Sequence, residues 1–255
     1  MTMIVDNLQA VRARIVAACT AAGRDPATVR LLAVSKTFGP QAIIEAAAAG
    51  QRLFGENYIQ EGVEKILLIR EWETECLRLS ASRHSSGLRS PQAGAPASLT
   101  EWHCIGPVQS NKTRLVAENF DWVQSIDRLK IAQRLSEQRP PHLPPLQVCL
   151  QVNIDGGAAK SGVVPQQARA LAAEVARLPR LALRGLMSIP EPAADFIAAR
   201  AVHERAASLF EQINRAGVLP FPMDTLSMGM TADLEAAIHA GSTLVRVGTA
   251  IFGGR

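Results

Sequence analysis

The stretch Leu31-Leu32-Ala33-Val34-Ser35-Lys36-Thr37 is an apolar run that ends at a lysine, just before Gly39-Pro40 breaks the chain. The run lacks the alternation of polar and apolar residues found in a half-exposed strand, so it predicts a strand that is buried on both faces. Such strands belong to parallel sheets whose faces are covered by helices. We therefore predict the first strand of an α/β fold, with Lys36 at the carboxyl end, where such folds carry their chemistry.

A strand followed by a helix recurs along the chain. Eight strands are predicted, at residues 31–34, 52–55, 102–106, 121–125, 146–152, 181–187, 224–227 and 244–247. Alternation implies parallel strands with right-handed crossovers, and eight of them in 255 residues favour a closed (β/α)8 TIM barrel. A dinucleotide-binding fold loses support because no GxGxxG follows the first strand. We predict one barrel domain over residues 1–255, with an additional N-terminal helix at 6–22.

The segment 70–100 interrupts this repeat. From 80 to 98 it consists largely of Ser, Gly, Pro, Arg and Ala. We interpret the segment as an inserted, flexible surface loop that follows a helix at 56–68. Elsewhere the pattern predicts a helix at 109–119 and a short helix that Thr231 caps.

The composition argues against several classes of protein. Only 4% of the residues are aromatic, the formal net charge is +4, and no block of Lys and Arg is interleaved with aromatic residues, so no nucleic-acid partner is expected. No apolar run approaches the ~18 residues that span a bilayer, and residues 1–8 lack the features of a signal peptide, so no membrane contact is expected. Four dispersed cysteines without a CxxC pair argue against a metal site and suit the reducing cytoplasm, where we expect the protein to act.

Two glycine-bearing turns follow the last two predicted strands. One is Ser227-Met228-Gly229, and the other is Gly248-Thr249. Barrels often bind phosphate with the loops after strands seven and eight, because free backbone N–H groups point at the anion and glycine lets the backbone come close. The hydroxyls of Ser227 and Thr249 add donors. Each turn alone could simply be a tight turn, but the two together predict a phosphate site.

A lysine and a phosphate site on neighbouring strands predict a ligand with a carbonyl at one end and a phosphate at the other. A neutral lysine amine attacks carbonyls, and pyridoxal 5′-phosphate (PLP) carries both groups. Arg246 would then face the pyridine nitrogen and keep it unprotonated, since a guanidinium only donates hydrogen bonds. The alternatives are a Lys36 that extends from the strand end into water and an Arg246 in an ordinary salt bridge.

Motifs along nearly the whole chain, except 70–100, resemble the pyridoxal phosphate homeostasis protein family. They are LLAVSKT at 31–37, FGENYIQE at 54–61, WHCIGPVQSNK at 102–112, QVNI at 151–154, KSG at 160–162, LRGLMSIP at 183–190, LSMGM at 226–230 and VRVGTAIFG at 245–253. The resemblance implies a barrel like the alanine racemase N-terminal domain. The segment 70–100 is longer than is usual in that family.

The resemblance also implies roles for individual residues. PLP would form a Schiff base with Lys36, and Arg246 would face the ring nitrogen. The phosphate would be held by Ser227, Met228, Gly229, Gly248 and Thr249. Asn57 matches a position near the cofactor, with a helix-start residue as the alternative. Lys160 matches a second lysine that handles PLP, with an exposed loop lysine as the alternative.

Three functions remain open. The first is a protein that carries and buffers PLP and regulates vitamin B6 and amino-acid homeostasis without catalysis, acting as a monomer and passing PLP to apo forms of PLP-dependent enzymes. The second is a small PLP-dependent enzyme such as an amino-acid racemase. The related racemases imply a second base, a tyrosine from a separate β-domain, whereas the single tyrosine here, Tyr58, belongs to the second βα unit. The third, a Schiff-base aldolase, fits poorly because its lysine usually comes from a later strand.

Overall fold

The computed structural model describes residues 2–83, 99–157 and 160–254 and contains a closed barrel of eight parallel strands in the order of the chain. The strands are β1 (Arg30–Val34), β2 (Leu53–Glu56), β3 (Glu101–Cys104), β4 (Trp122–Ile126), β5 (Leu146–Gln151), β6 (Leu181–Met187), β7 (Thr225–Ser227) and β8 (Leu244–Val247). Pairing of β1 with β8 closes the barrel and places Leu32 opposite Arg246. The prediction of a (β/α)8 barrel is confirmed.

Helices surround the barrel and connect its strands. They are α1 (Met3–Ala21), α2 (Pro40–Ala48), α3 (Ile59–Arg83), α4 (Thr113–Asn119), α5 (Leu129–Gln138), α6 (Pro165–Val175), α7 (Phe196–Arg215), α8 (Leu234–His239) and α9 (Thr249–Phe252), with a 3-10 turn at Pro26–Thr28. Their apolar faces cover the outer face of the barrel, so the strands are buried on both sides, as the unbroken apolar runs predict.

The N-terminal helix is an addition to the eight βα units. Leu8, Val11, Ile15 and Cys19 recur at spacings of three and four and are all buried, as the sequence predicts for one face of a helix. This face packs against α2, α8 and α9. The helix therefore supports the two elements that follow β7 and β8.

The largest departure from the predicted elements is α3, which continues to Arg83 instead of ending at Leu68. The interpretation of 70–100 as a loop is therefore wrong for 70–83, because partners outside α3 stabilise these turns. Arg70 donates to the carbonyl of Asn119 at 2.9 Å, and Trp72 packs against the core. Residues 84–98, on which the rest of that interpretation falls, lie outside the described residues.

Three smaller differences concern helix ends. Helix α4 begins at Thr113, because residues 110–112 form a turn before it. Helix α8 begins at Leu234, and Thr231 belongs to the loop before it. A last short helix, α9, was not predicted. No described helix combines the length and the apolar character needed to cross a membrane.

Candidate cofactor site

A cavity of about 520 Å³ opens at the carboxyl ends of the strands, the end where barrels carry their sites. Five residues predicted from the sequence line it: Lys36, Asn57, Arg246, Gly248 and Thr249. They come from the ends of β1, β2 and β8, which are neighbours in the barrel. The structure therefore brings the predicted lysine, arginine and C-terminal glycine turn into one cavity.

Lys36 lies in the turn between β1 and α2, two residues after the strand ends. The amide of Ser35 donates to the carbonyl of Gly55 at 3.0 Å, which extends the pairing of β1 with β2 up to the lysine. Thr37 follows with φ +68°, and no other described residue except glycine has a positive φ. This conformation is uncommon for a β-branched residue and marks a turn that its surroundings hold in place.

The turn after β8 offers backbone donors to the cavity. Gly248 precedes α9, and the amides of Thr249 and Ala250 have no acceptor within the helix. A Cβ atom at position 248 would lie 3.1 Å from the carbonyl oxygen of Val34, so glycine keeps the strand β1 close. These amides, with the Thr249 hydroxyl, could hold an anionic group.

The loop after β7 contributes Met230, Thr231 and Ala232 to the cavity, whereas Met228 and Gly229 lie buried outside its lining. Gly229 has φ +90°, and a Cβ atom there would lie 2.5 Å from that of Ala237. The glycine is therefore explained by the turn and by the approach of α8.

Asp233 fixes the end of this loop. Its carboxylate accepts a hydrogen bond from the Met230 amide at 2.6 Å and one from His203 Nε2 at 2.9 Å. Burial acts to raise the pKa of Asp233, but these hydrogen bonds outweigh it and the pKa is lowered. A charged Asp233 therefore holds the backbone that faces the cavity.

Arg246 is buried with 3% of its surface exposed and is fixed by two hydrogen bonds. Nη1 donates to the hydroxyl of Ser227 at 2.7 Å, and Nη2 donates to the carbonyl of Ser188 at 2.8 Å. Burial lowers the pKa of Arg246 to about 10, which leaves the side chain charged at neutral pH. The structure therefore presents a fixed positive donor group at the cavity wall.

Ser227 differs from its predicted use. Its hydroxyl accepts from Arg246 and donates to Gln124 Oε1 at 2.7 Å, and the residue is fully buried. It does not line the cavity, so the expectation that this hydroxyl donates to a phosphate is not supported by the geometry. Its hydrogen bonds with Arg246 and Gln124 indicate that it holds the guanidinium of Arg246 in position.

A buried chain of hydrogen bonds continues from Ser227 across the barrel. Gln124 Nε2 donates to His103 Nδ1 at 2.8 Å, and His103 Nε2 lies 2.8 Å from Glu101 Oε1. Since Nδ1 accepts, the proton of the neutral ring is on Nε2. No local sequence pattern predicts these hydrogen bonds, although polar residues at 101, 103 and 124 in buried strands are a usable signal.

The carboxyl group of Glu101 and the imidazole of His103 both have shifted pKa values. Burial lowers the pKa of His103 despite the carboxylate beside it. Burial acts to raise the pKa of Glu101, but the hydrogen bond from His103 and the nearby positive charges lower it overall. The chain thus joins a carboxylate at the start of β3 to the guanidinium of Arg246 through neutral groups.

Two buried polar atoms near the cavity have no hydrogen-bond partner within the part of the chain that the structure describes. They are Oδ1 of Asn57, which lines the cavity, and Oγ of Ser188, whose carbonyl holds Arg246. Unpartnered buried polar groups are costly, so a bound ligand with polar atoms would explain them. Ser188 was also missed, although it lies in the LRGLMSIP motif.

Lys160 lies beside this cavity and not in its lining. It lines a second cavity of about 260 Å³ that shares Asn57, Ile105 and Ile189 with the first. Its ammonium pairs with Glu191 at 3.2 Å and points to the carbonyl of Ile189 at 3.4 Å. The two lysines therefore face adjoining spaces.

The donor set suits an organic anion that carries a carbonyl. One amine, one guanidinium and the Gly248-Thr249 turn at the start of α9 meet in one cavity with an unpartnered amide oxygen. Among the described residues, no group of three or more His, Cys, Asp or Glu side chains could hold a metal ion. The residues fit PLP, because they include a partner for an aldehyde, for a phosphate and for a ring nitrogen.

Comparison with known proteins agrees with this geometry. The sequence matches the family described as alanine racemase, N-terminal domain, over residues 7–255. A pyridoxal phosphate homeostasis protein of Vibrio cholerae is 52% identical over 256 residues, covering 100% of this chain and 98% of the relative. The chain therefore belongs to the alanine racemase N-terminal domain family and, within it, to the pyridoxal phosphate homeostasis proteins.

Two solved structures are similar over almost the whole chain. A structure described as an unknown protein from Bifidobacterium adolescentis has a TM-score of 0.81 and 35% identity, covering 98% of this chain and 94% of that one. PipY of Synechococcus elongatus, solved with PLP bound, has a TM-score of 0.75 and 32% identity, covering 98% of this chain and 100% of PipY.

Proposed function

We propose that this protein binds PLP in the 520 Å³ cavity and carries it as a Schiff base on Lys36. The observation that carries the proposal is the convergence of Lys36, Arg246 and the Gly248-Thr249 turn on one cavity. The PLP-bound structure of PipY, which has the same fold, supports it. When bound, PLP supplies a reactive aldehyde and a conjugated ring.

Each group has a defined task in this proposal. The Lys36 amine would bond to the aldehyde carbon, whose oxygen leaves as water, and the amides of Thr249 and Ala250 with the Thr249 hydroxyl would hold the phosphate. Arg246 donates to the ring nitrogen and keeps it unprotonated, which makes the ring a poorer electron sink. Asn57, through its unpartnered Oδ1, accepts from a polar group of the ligand. Met228 and Gly229, which are buried outside the cavity lining, contribute to the conformation of the loop after β7.

We propose that Lys160 receives PLP from Lys36 or passes it on. Its cavity adjoins the first through Asn57, Ile105 and Ile189. An amine at this position could form a second Schiff base only after leaving Glu191, to which it is paired. This supports a role in transfer and not in primary binding.

We infer a carrier and buffer of PLP, acting in vitamin B6 and amino-acid homeostasis, and not a racemase. A two-base racemisation needs a second acid or base opposite the lysine. The single tyrosine, Tyr58, is 55% exposed and lies outside the cavity lining. The relatives are also named as homeostasis proteins. We further propose that the protein acts as a monomer in the cytoplasm and supplies apo enzymes.

Two experiments test the proposal. Titration of the purified protein with PLP should produce the visible absorbance of a Schiff base, and Lys36→Ala should lack this absorbance while retaining some PLP through the phosphate contacts. An unchanged spectrum in Lys36→Ala would reject Lys36 as the attachment point.

Incubation with L-amino acids should give no more D-enantiomer than free PLP does, and a higher yield would favour the racemase.

A further inference from the structure

Three charged residues lie behind the turn that carries Lys36. Glu56 ends β2, while Glu61 and Lys65 lie one turn apart at the start of α3. The Lys65 ammonium is 2.6 Å from Glu61 Oε1, 2.9 Å from Glu56 Oε1 and 2.8 Å from the carbonyl oxygen of Ser35. These contacts use all three donors of the ammonium, whose side chain is 6% exposed.

This cluster holds the backbone on both sides of Lys36. Before the lysine, Lys65 binds the Ser35 carbonyl, and the Ser35 hydroxyl donates to Glu56 at 2.7 Å. After the lysine, the Thr37 amide donates to Glu61 Oε1 at 2.6 Å. The peptide groups that flank the Lys36 Cα atom are therefore both tied to one ion-paired unit.

The Thr37 amide is the contact that matters most. Thr37 has φ +68°, a conformation that L residues with branched side chains rarely adopt without external support. Glu61 provides that support, and Lys65 in turn fixes Glu61. A change in φ at residue 37 would move the peptide that follows the lysine.

Stability alone does not explain the cluster. Buried ion pairs lose most of their Coulombic gain to desolvation, and apolar residues of similar size are often as stable. Burial raises the pKa of Glu56, although Lys65 and the Ser35 hydroxyl counteract it, and Glu56 Oε2 has no described hydrogen-bond partner. None of the three residues lines the cavity, so they do not contact a ligand there.

We propose that Glu61 and Lys65 are positioning residues for Lys36. They hold Thr37 in its left-handed conformation and so direct the Lys36 amine towards the aldehyde of PLP. The inference rests on the proposed function only in that Lys36 is the residue that reacts. It assigns Glu61 of the FGENYIQE motif, and Lys65 after it, to the support of a lysine more than 20 positions earlier.

The test compares Glu61→Ala and Lys65→Met with the unmodified protein. Each variant is mixed with PLP at saturating concentration, and the rate of Schiff-base formation and the fraction of PLP fixed to protein by borohydride are measured. Misplacement of a reacting group by about 1 Å can cost roughly 100-fold in rate, so we expect formation to slow at least about tenfold in Glu61→Ala. Amide hydrogen exchange at Thr37, measured without PLP, should accelerate in the same variant.

Two further variants separate positioning from general damage. Glu204→Ala removes an exposed ion pair with Arg200 on α7 and should change neither quantity. Thr37→Gly, added to Glu61→Ala, should restore most of the lost rate, because glycine adopts a positive φ without steric cost. If Glu61→Ala fails to fold, Glu61→Gln with Lys65→Met supplies the comparison.

The proposal is overturned if Glu61→Ala folds and forms the Schiff base at the unmodified rate. It is also overturned if the rate falls but Thr37→Gly does not restore it, because Glu61 would then act other than through the turn. Failure of the proposed function looks different, since the unmodified protein itself would then form no Schiff base at Lys36.

Discussion

Two hydroxyls that look equivalent in the sequence, those of Ser227 and Thr249, lie in different surroundings. Ser227 is buried between Gln124 and Arg246, whereas Thr249 lines the cavity beside the first amides of α9. The Ser227 hydroxyl is engaged by other side chains of the protein, and the Thr249 residue lines the cavity proposed for PLP. The two residues should therefore differ in how their loss affects stability and PLP binding.

Ser227→Ala should reduce the free energy of unfolding by about 1–3 kcal/mol, because a donor of Arg246 and an acceptor of Gln124 lose their partner while buried. Thr249→Val keeps the shape but removes the hydroxyl, and should weaken PLP binding at least roughly tenfold, since a hydrogen bond to a charged group contributes about 1.5–3 kcal/mol and about 1.4 kcal/mol is a factor of ten. Denaturant unfolding and equilibrium dialysis with PLP measure the two effects. A larger loss of PLP affinity in Ser227→Ala than in Thr249→Val would contradict this assignment.

At the residue level, the sequence predicts the cavity's main groups but not the support behind them. Lys36 and Arg246 could be predicted because Lys36 follows β1, Arg246 is the next-to-last residue of β8, and carboxyl ends of parallel strands meet at one mouth. The bond from Ser227 to Gln124 joins residues 103 positions apart. Such a bond depends on side-chain directions across the barrel, which no local pattern contains.

At the level of elements, α1 supports the site although it precedes the barrel. Arg14 forms an ion pair with Glu235 of α8 at 2.9 Å and donates to the carbonyl of Thr231, in the loop that lines the cavity, at 2.9 Å. The guanidinium therefore joins the N-terminal helix to the loop after β7. This link should matter more for ligand binding than for stability.

Arg14→Ala should change the free energy of unfolding by no more than about 1 kcal/mol, because the ion pair is more than a third exposed. PLP affinity should fall several-fold, since the loop loses its outer hydrogen bond. Arg200→Ala, which breaks an exposed pair on α7, is the matched control. Equal PLP affinities of Arg14→Ala and Arg200→Ala would show that α1 does not support the loop.

The sequence predicts the number and order of elements better than their ends. Apolar runs indicate the strands, and apolar periodicity indicates the helices except the four-residue α9, but helix ends depend on tertiary partners. Helix α3 continues past Leu68 because Arg70 and Trp72 find partners on neighbouring elements. Similarly, α8 begins at Leu234, after a loop in which the Asp233 side chain accepts from Met230 and His203 and does not cap the helix.

At the level of the whole molecule, the chain of hydrogen bonds from Glu101 to Arg246 links the amino-terminal end of the barrel to the cavity at its carboxyl-terminal end. The links pass through His103, Gln124 and Ser227, all fully or nearly fully buried. A proton added to His103 would put a hydrogen on Nδ1, facing the Nε2 donor of Gln124. These hydrogen bonds would then have to rearrange. Acid should therefore lower the free energy of unfolding.

The sign of the pH effect follows from the lowered pKa of His103. As the pH falls below the ordinary histidine value of 6.5, the unfolded chain takes up the proton before the folded one, so stability falls with pH. The free energy of unfolding should decrease by up to about 1.4 kcal/mol per pH unit in that range. Glu101, with its lowered pKa, adds a further loss below its ordinary value of 4.5.

His103→Gln should reduce this dependence between pH 7 and 5, because glutamine does not titrate. Exposed His142, changed to Gln, should keep it and serves as the control. Urea unfolding at several pH values gives the slopes. Equal slopes for all three proteins would show that His103 does not set the acid sensitivity of the fold.

Borohydride reduction of the PLP-loaded protein, followed by digestion and mass mapping, tests the central claim most directly. The account predicts one dominant phosphopyridoxyl-modified peptide, containing Lys36, whose yield falls when inorganic phosphate competes for the Gly248-Thr249 turn. A modified peptide that instead contains Lys160 or Lys112, or labelling spread over many lysines, would contradict it.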